Sequence, residues 1–282
     1  MKATLEKQSK PAKTSQSSAG RKITRRRSIA EASKFRELFS GEGNSGSIQE
    51  ILLAALENFS SRGYRATTTR DIAKSAGLSP AALYIHFRSK EDVLYRIVHV
   101  VNTAFFTALA SADYSNGSET ERLYRLTRKL VSLTAELKSA IHIANYEIGE
   151  LSGTRRAAIA DIRSKMTDMF SSCLERGNAN DEFTVPDVHT TTIAILSLAQ
   201  AVSRWYQPDG RLKAAELAEY YADIVLRIAG AQKACEFANE NARVAQRTES
   251  LSGKATTVKD ELKPFTTIRL GKVVKTSTRA SK

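Results

Sequence analysis

From Ile48 to about residue 230, apolar residues recur three and four positions apart, and no alternating or continuous strand-like run interrupts them. That period belongs to the α-helix, in which positions i, i+3, i+4 and i+7 share a face. The span is therefore restricted to an all-α architecture. "SIQEILLAALENFSSRG" puts Ile48, Leu52, Ala55, Leu56 and Phe59 on one face and ends on Gly63, a residue suited to a helix C-terminus. "TTTRDIAKSAG" reads as a short helix closed by Gly77, and "SPAALYIHF" as another. A long helix over 89–111 opens with the capping pattern "SKED". Further helices are predicted at about 118–140, 141–151, 154–177, 186–206 and 212–230, with Pro186 at the start of the fourth.

Charge separates the ends from this helical span. The 282 residues carry a net +13 and are 41% hydrophobic, enough for a substantial core. Residues 1–36 hold eleven Lys/Arg against Glu6 and Glu31, a net +9. Residues 231–282 hold eleven against five acids, a net +6, which leaves −2 for the 194 residues between. Residues 1–34 have almost no large apolar side chains and are expected to be a disordered basic arm. "SGEGNSGS" (40–47) is expected to be a linker. Its G-x-G-x-x-G follows no strand and opens no βαβ unit, so a dinucleotide site is not supported. The expected domains are an arm and linker over 1–46, a small helical domain over 47–95, a larger one over 96–230 and a basic extension over 231–282.

Several chemistries are disfavoured. Cys173 and Cys235 form neither a disulfide framework nor a metal motif, so no metal or cofactor is expected. The N-terminus has no apolar segment of a secretory signal. The most apolar long run, "IAILSLAQAV" (193–202), is too short to span a bilayer. A cytosolic protein without a membrane role is the natural expectation.

The two short helices meet through "GLS", the arrangement of a helix-turn-helix. Ser79 suits the N-cap and Pro80 the first helical position, where no N–H is needed. At 100° per residue, with Leu83 at the origin, Phe87 falls at about 40° and Pro80 at about 60°, an apolar face. Ala81 and Ile85 fall at about 160° and 200°, on the opposite side. An isoleucine facing outward beside two alanines makes sense in a DNA major groove, where small and apolar side chains meet thymine methyl groups. Tyr84, His86 and Lys90 flank that face and suit phosphate contacts. A catalytic Tyr/His pair has no acid partner in this part of the chain.

Residues 51–98 resemble the DNA-binding region of the TetR family of transcriptional repressors. The resemblance lies in Phe59, Gly63, Tyr64, the Thr-Thr-Arg run at 68–70, Ile72-Ala73, Gly77, Leu83-Tyr84, His86-Phe87 and Lys90. It implies a non-enzymatic, homodimeric, sequence-specific DNA-binding repressor that a small molecule releases from its operator. A ligand-independent architectural DNA-binding protein is the alternative. The implied DNA-contacting set is Thr68, Thr69, Arg70, Ser79, Pro80, Ala81, Ala82, Tyr84, Ile85, His86 and Lys90, on a pseudo-palindromic double-stranded operator. Thr68 and Thr69 would hold phosphates, and Arg70 would read a base edge.

The resemblance makes residues 96–230 a ligand-binding and dimerisation bundle whose last two helices meet a second copy. Ile193, Leu196, Ala199 and Ala201, with Leu217, Tyr220, Tyr221, Ile224, Leu226 and Ile228, supply apolar material there. Candidate ligand contacts are Phe105, Phe106, Tyr124, His142, Tyr146, Met166, Met169, Phe170, Arg204 and Trp205. "YEIGELSGTRR" and "RWYQPDGRL" resemble an acyl-CoA-responsive branch of the family, in which Arg155, Arg156 or Arg204 would meet CoA phosphates. In the arm, Arg21, Lys22 and Arg25 to Arg27 are expected to add phosphate or minor-groove contacts.

Overall fold

A computed structural model describes residues 31–38, 46–113 and 117–231. These all fall in the first of two compact units, Met1–Ala238, while the second, Asn239–Lys282, lies outside the described residues. So do residues 1–30 of the basic arm, with Arg21 to Arg27, and residues 232–282, with Cys235. The described residues form helices without a strand, as the apolar period requires.

The elements are α1 (residues 31–38), α2 (Gly46–Arg62), α3 (Thr69–Ser75), α4 (Pro80–His86), α5 (Lys90–Ala112), α6 (Glu119–Glu136) and α7 (Lys138–Tyr146), then a 3₁₀ turn at Ile148–Glu150, α8 (Gly153–Ala179), α9 (Val188–Trp205) and α10 (Ala214–Ile228). Helices α2 to α4 make the small N-terminal unit. Helix α6 is the axis of the larger bundle: it packs most extensively on α10 and also on α5, α8 and α9. Glu182 closes its N-terminus, accepting from the backbone N–H groups of Glu119 at 3.1 Å and Thr120 at 2.9 Å.

Three expectations change. Residues 31–34, expected to be disordered, are helical and open a helix over 31–38 whose Phe35, just past that stretch, is fully buried in the main core. Glu31 accepts from the Ser139 backbone N–H at 2.6 Å and its hydroxyl at 2.9 Å, holding α1 against the start of α7. Arg36 reaches Glu50 on α2 at 2.8 Å, so α1 straps the larger bundle to the smaller unit. Second, the helix predicted over 118–140 breaks at Leu137, where φ is −111° and ψ 35°. Third, Asp187 rather than Pro186 adjoins α9, its carboxylate accepting from the Thr190 N–H at 2.9 Å.

Helix α5 is long and apolar enough to cross a membrane, a property the sequence reading did not single out. Val93, Leu94, Ile97, Val98, Val101, Phe105 and Leu109 are instead buried against neighbouring helices, as in the core helix of a bundle. If Phe35 anchors the strap, Phe35→Ala should cost about 3–5 kcal/mol. Urea unfolding measures this, and a loss below about 1 kcal/mol would show that α1 is peripheral.

Candidate DNA-binding site

The small unit is organised by its caps. Thr68 Oγ1 accepts from the Asp71 N–H at 3.1 Å while Asp71 Oδ2 accepts from the Thr68 N–H at 2.9 Å, a reciprocal capping box for α3. The Thr68 hydroxyl and the Thr68 N–H, both donating to the Asp71 carboxylate, hold that carboxyl below its ordinary pKa, so the box is intact at neutral pH. Ser79 Oγ accepts from the Ala82 N–H at 3.1 Å to cap α4, and Ser89 Oγ from the Asp92 N–H at 3.1 Å to cap α5. Between α3 and α4 the chain turns at Gly77, whose φ of +71° favours glycine. The Leu78 N–H reaches the Ala73 carbonyl at 2.9 Å across that turn. Underneath, the buried Asn58 amide donates to Ala54 O at 2.7 Å and to Ser75 Oγ at 2.9 Å, tying α2 to α3.

This scaffold sets the rotation of α4. Leu83 is fully buried and Phe87 nearly so, while Ile85 is 80% exposed. Ala81, Tyr84 and His86 are exposed and Ala82 is partly so. The helical wheel therefore gives the right faces, except that Pro80 is exposed rather than packed beside Leu83. The Tyr84 and Thr69 hydroxyls lie 3.0 Å apart, joining α3 to α4 on the outer surface. Arg70 is exposed beside them and has no ion pair or hydrogen bond among the described residues.

Two members of the expected set are used internally. The Thr68 hydroxyl donates to Asp71 at 2.6 Å, so its oxygen and proton both serve the cap. Lys90 turns away from the outer surface: its ammonium donates to Tyr64 O at 2.8 Å and sits 4.1 Å from the Tyr64 ring centroid. The reason is local, since Tyr64 offers a carbonyl and a π face where α5 begins.

The junction with the larger bundle is a polar cluster that sequence reasoning missed. Arg155, expected as a phosphate ligand, pairs instead with Glu91 at 3.2 Å and with Asp92, both in the first turn of α5. Glu91 also accepts from the Ser152 N–H at 2.8 Å, and Arg65 reaches Glu150 at 2.8 Å. Arg156 donates to Leu151 O at 2.9 Å, closing the turn before α8. The Ser152 N–H, opposed by burial and helped by Arg155, holds the Glu91 carboxyl below its ordinary range. Burial pushes Asp92 upward, but hydrogen bonds and charge from Arg155 outweigh it and its pKa is also lowered.

The expected ligand contacts do not converge on one place. Phe105 and Phe170 are core residues, and Met166 and Met169 are partly buried against that core. Tyr124 is buried and donates its hydroxyl to Glu219. His142 and Tyr146 meet on the outer surface as tilted rings with centroids 4.6 Å apart, and Arg204 lies 6.0 Å over Tyr146. Trp205 is half-exposed and stacks on Tyr221 beside a cavity of about 440 Å³ at the α9–α10 turn. Helical spacing marks all of these as apolar-face candidates but does not say which faces turn inward. Exposed Ile193, Leu198, Trp205, Tyr220 and Ile228 leave an apolar surface on α9 and α10. By contrast Ala199, Leu217 and Leu226, expected at that surface, are buried in the chain's own core.

Comparison with known proteins bears on this geometry. The profile of bacterial regulatory proteins of the tetR family matches residues 51–97, and that of tetracyclin repressor-like C-terminal domains matches residues 116–229. The crystal structure of a tetR-family regulatory protein from Rhodococcus RHA1 is 33% identical, with 67% of this chain and 99% of that one covered at a TM-score of 0.64. The chain belongs to the TetR family of transcriptional regulators. Among other TetR-family relatives, the ketosteroid transcriptional regulator KstR2 of Mycobacterium tuberculosis is 30% identical, covering 66% of this chain and 96% of that one at a TM-score of 0.60. The transcriptional repressor KstR2 of Rhodococcus jostii is 29% identical over 186 residues, 65% of this chain and 91% of its own. In this TetR-type chain the helix-turn-helix is therefore α3 and α4, a DNA-binding module, and the helices from α6 onward form the C-terminal domain.

The junction cluster generates a test. Both carboxyls are depressed, so their contribution is present at neutral pH and is lost as pH falls through their folded-state values. Arg155→Ala should speed amide exchange across residues 147–155 and at the start of α5 while costing only about 1 kcal/mol overall. Acidification of the unmodified chain below the ordinary carboxylate range should reproduce that local pattern. Exchange that is unchanged by either would show that the cluster does not hold the junction.

Proposed function

We propose that the chain is a homodimeric repressor that reads its operator with the outer face of α4 and releases it on binding a hydrophobic small molecule. The observation that carries this reading is Ile85, 80% exposed on a helix whose opposite side is anchored by fully buried Leu83. Ala81, Ala82 and Ile85 form the base-facing patch, where apolar groups can pack on thymine methyl groups. Arg70 reads a guanine edge, and with no partner among the described residues its guanidinium is available for one. Thr69, Tyr84 and His86 contact phosphates, with the Thr69–Tyr84 pair setting the approach of α3 to the backbone. Ser79 and Pro80 bring the start of α4 against the duplex.

A second copy is needed because one short helix reads few base pairs. Two recognition helices related by a twofold axis reach successive major grooves about 34 Å apart. The exposed apolar surface of α9 and α10 supports an isologous interface. A ligand that shifts α5 changes the spacing of the two α4 helices and lowers operator affinity. The inducer class that fits the sequence resemblance and the KstR2 relatives is an acyl-CoA or another hydrophobic product of lipid or steroid breakdown. The chemistry is recognition without bond making, carried out in the cytoplasm.

Capture of genomic fragments by the purified protein would supply the operator. On it, Ile85→Glu should weaken binding by about 100-fold or more, because a carboxylate would face the duplex. Its thermal stability should be unchanged, since the side chain is exposed. Arg70→Ala should cost about 1–3 kcal/mol and relax preference at one position of each half-site. Fluorescence anisotropy checks both, and wild-type affinity in Ile85→Glu would sink the proposed face.

A further inference from the structure

Helix α1 joins the larger bundle to α2 without filling the space between them. A cleft of about 800 Å³ remains, bordered by α1, by α2, and by the start of α7 with the α9–α10 turn. Glu50, Leu53, Glu57 and Ser60 line it from one face of α2, spaced three and four residues apart. Glu136 lines it from the end of α6. These walls are acidic: Glu50, Glu57 and Glu136 are all exposed. Outside α1 the lining has one base among the described residues, Lys138, and its ammonium donates to Tyr206 O at 2.8 Å.

Helix α1 already shows which charge these walls accept. Its Lys34 lies 3.8 Å from Glu136 and its Arg36 2.8 Å from Glu50, one base on each wall. Glu57 lies two turns along α2 from Glu50, and its carboxylate has no hydrogen bond or ion pair among the described residues. The chain upstream of α1 carries cations in excess, since residues 1–30 hold nine Lys/Arg against Glu6. The place where that chain leaves the folded body is fixed. Glu31, the first residue of α1, is part of the cleft lining and is bonded to Ser139. Arg27 is four residues from Glu31, a reach of at most about 14 Å, and Arg26 and Arg25 come directly before it. A single exposed ion pair is weak, but a tethered run of cations meets its carboxylates at an effective concentration on the order of millimolar.

We propose that this cleft is the resting dock of the chain's own basic arm, residues 20–28, and that DNA must draw the arm out of it. Lys22 and Arg25 to Arg27 share the carboxylates of Glu57, Glu50 and Glu136. The same cations are the ones that phosphates attract, so an arm held in the cleft is withheld from the duplex. Binding to arbitrary sequence depends mainly on charge, and docking lowers it. The effect on DNA rests on the arm reaching phosphates, whereas the docking itself does not.

The test uses the full chain. Carbodiimide coupling without DNA should join the Lys22 amine to the carboxylate of Glu57, Glu50 or Glu136, as mapped by peptide mass spectrometry. Excess duplex should remove that product. In a mixed population of isotopically light and heavy chains, the product should join residues of one chain. Products joining a light chain to a heavy one would give the cleft to the arm of a second copy and overturn docking within the chain. No coupling of Lys22 to any of the three carboxylates would overturn it as well. The energetic test is binding to a random-sequence duplex at low salt. Glu57→Gln should bind about three- to tenfold tighter than the unmodified chain. It changes an exposed side chain, so folding is retained. In a chain carrying Arg25→Gln, Arg26→Gln and Arg27→Gln, adding Glu57→Gln should alter affinity by less than about twofold. Equal effects in both backgrounds would mean that Glu57 acts on the duplex directly, and would overturn the withholding of the arm. Coupling of Lys22 in the cleft with unchanged affinity in Glu57→Gln keeps the dock and overturns its effect on DNA.

Discussion

A helix of seven residues does not hold itself together in water, so the orientation of α4 is decided by what it packs on. Leu83 supplies that contact from the middle of the helix, and Phe87 repeats it just beyond the C-terminus, where the backbone has already turned extended. Turning α4 by one residue would expose Leu83 and bury the Tyr84 hydroxyl. With the two anchors in place, Ile85 has nowhere to go but outward. The groove-facing patch is thus a consequence of core packing, and it is only as well placed as Leu83 and Phe87 are.

The same logic extends through α5. Its first turn makes a different attachment at each position: Lys90 to the Tyr64 carbonyl, Glu91 to the Ser152 N–H, and Asp92 to Arg155. Halfway along, Asn102 bonds Arg163. A helix of 23 residues spans about 35 Å and bends little, so a change at its middle is felt at its start. This places the DNA-binding unit and the bundle interior on one rigid element. The α1 strap adds a second link, from Ser139 through Glu31 and Arg36 to Glu50 on α2.

What the sequence makes legible is local. Gly63, Gly77, Ser79, Pro80 and the three- and four-residue apolar spacing each act within one turn of helix, and they place the helix-turn-helix and the outward face of α4 correctly. What it hides depends on partners far along the chain. Arg155 pairs with residues more than sixty positions earlier, and no nearby pattern separates it from a solvent-facing or phosphate-binding arginine. The break at Leu137 has no glycine or proline to announce it. Phe35 sits just past a stretch, residues 1–34, whose composition argues against a core, yet one large aromatic together with Glu31 is enough to dock a helix. Aromatic residues at helical spacing reveal amphipathic faces but not their direction, so Phe170 is inside while Tyr146 and Trp205 are outside.

The most direct measurement of the central claim is methyl NMR of Ile85 in the complete protein bound to its captured operator. If α4 lies in the major groove with Ile85 inward, the Ile85 δ1 methyl should shift strongly and show cross-relaxation to thymine methyl protons. A bound complex in which that resonance keeps its free position would contradict the assignment, and would move recognition away from α4.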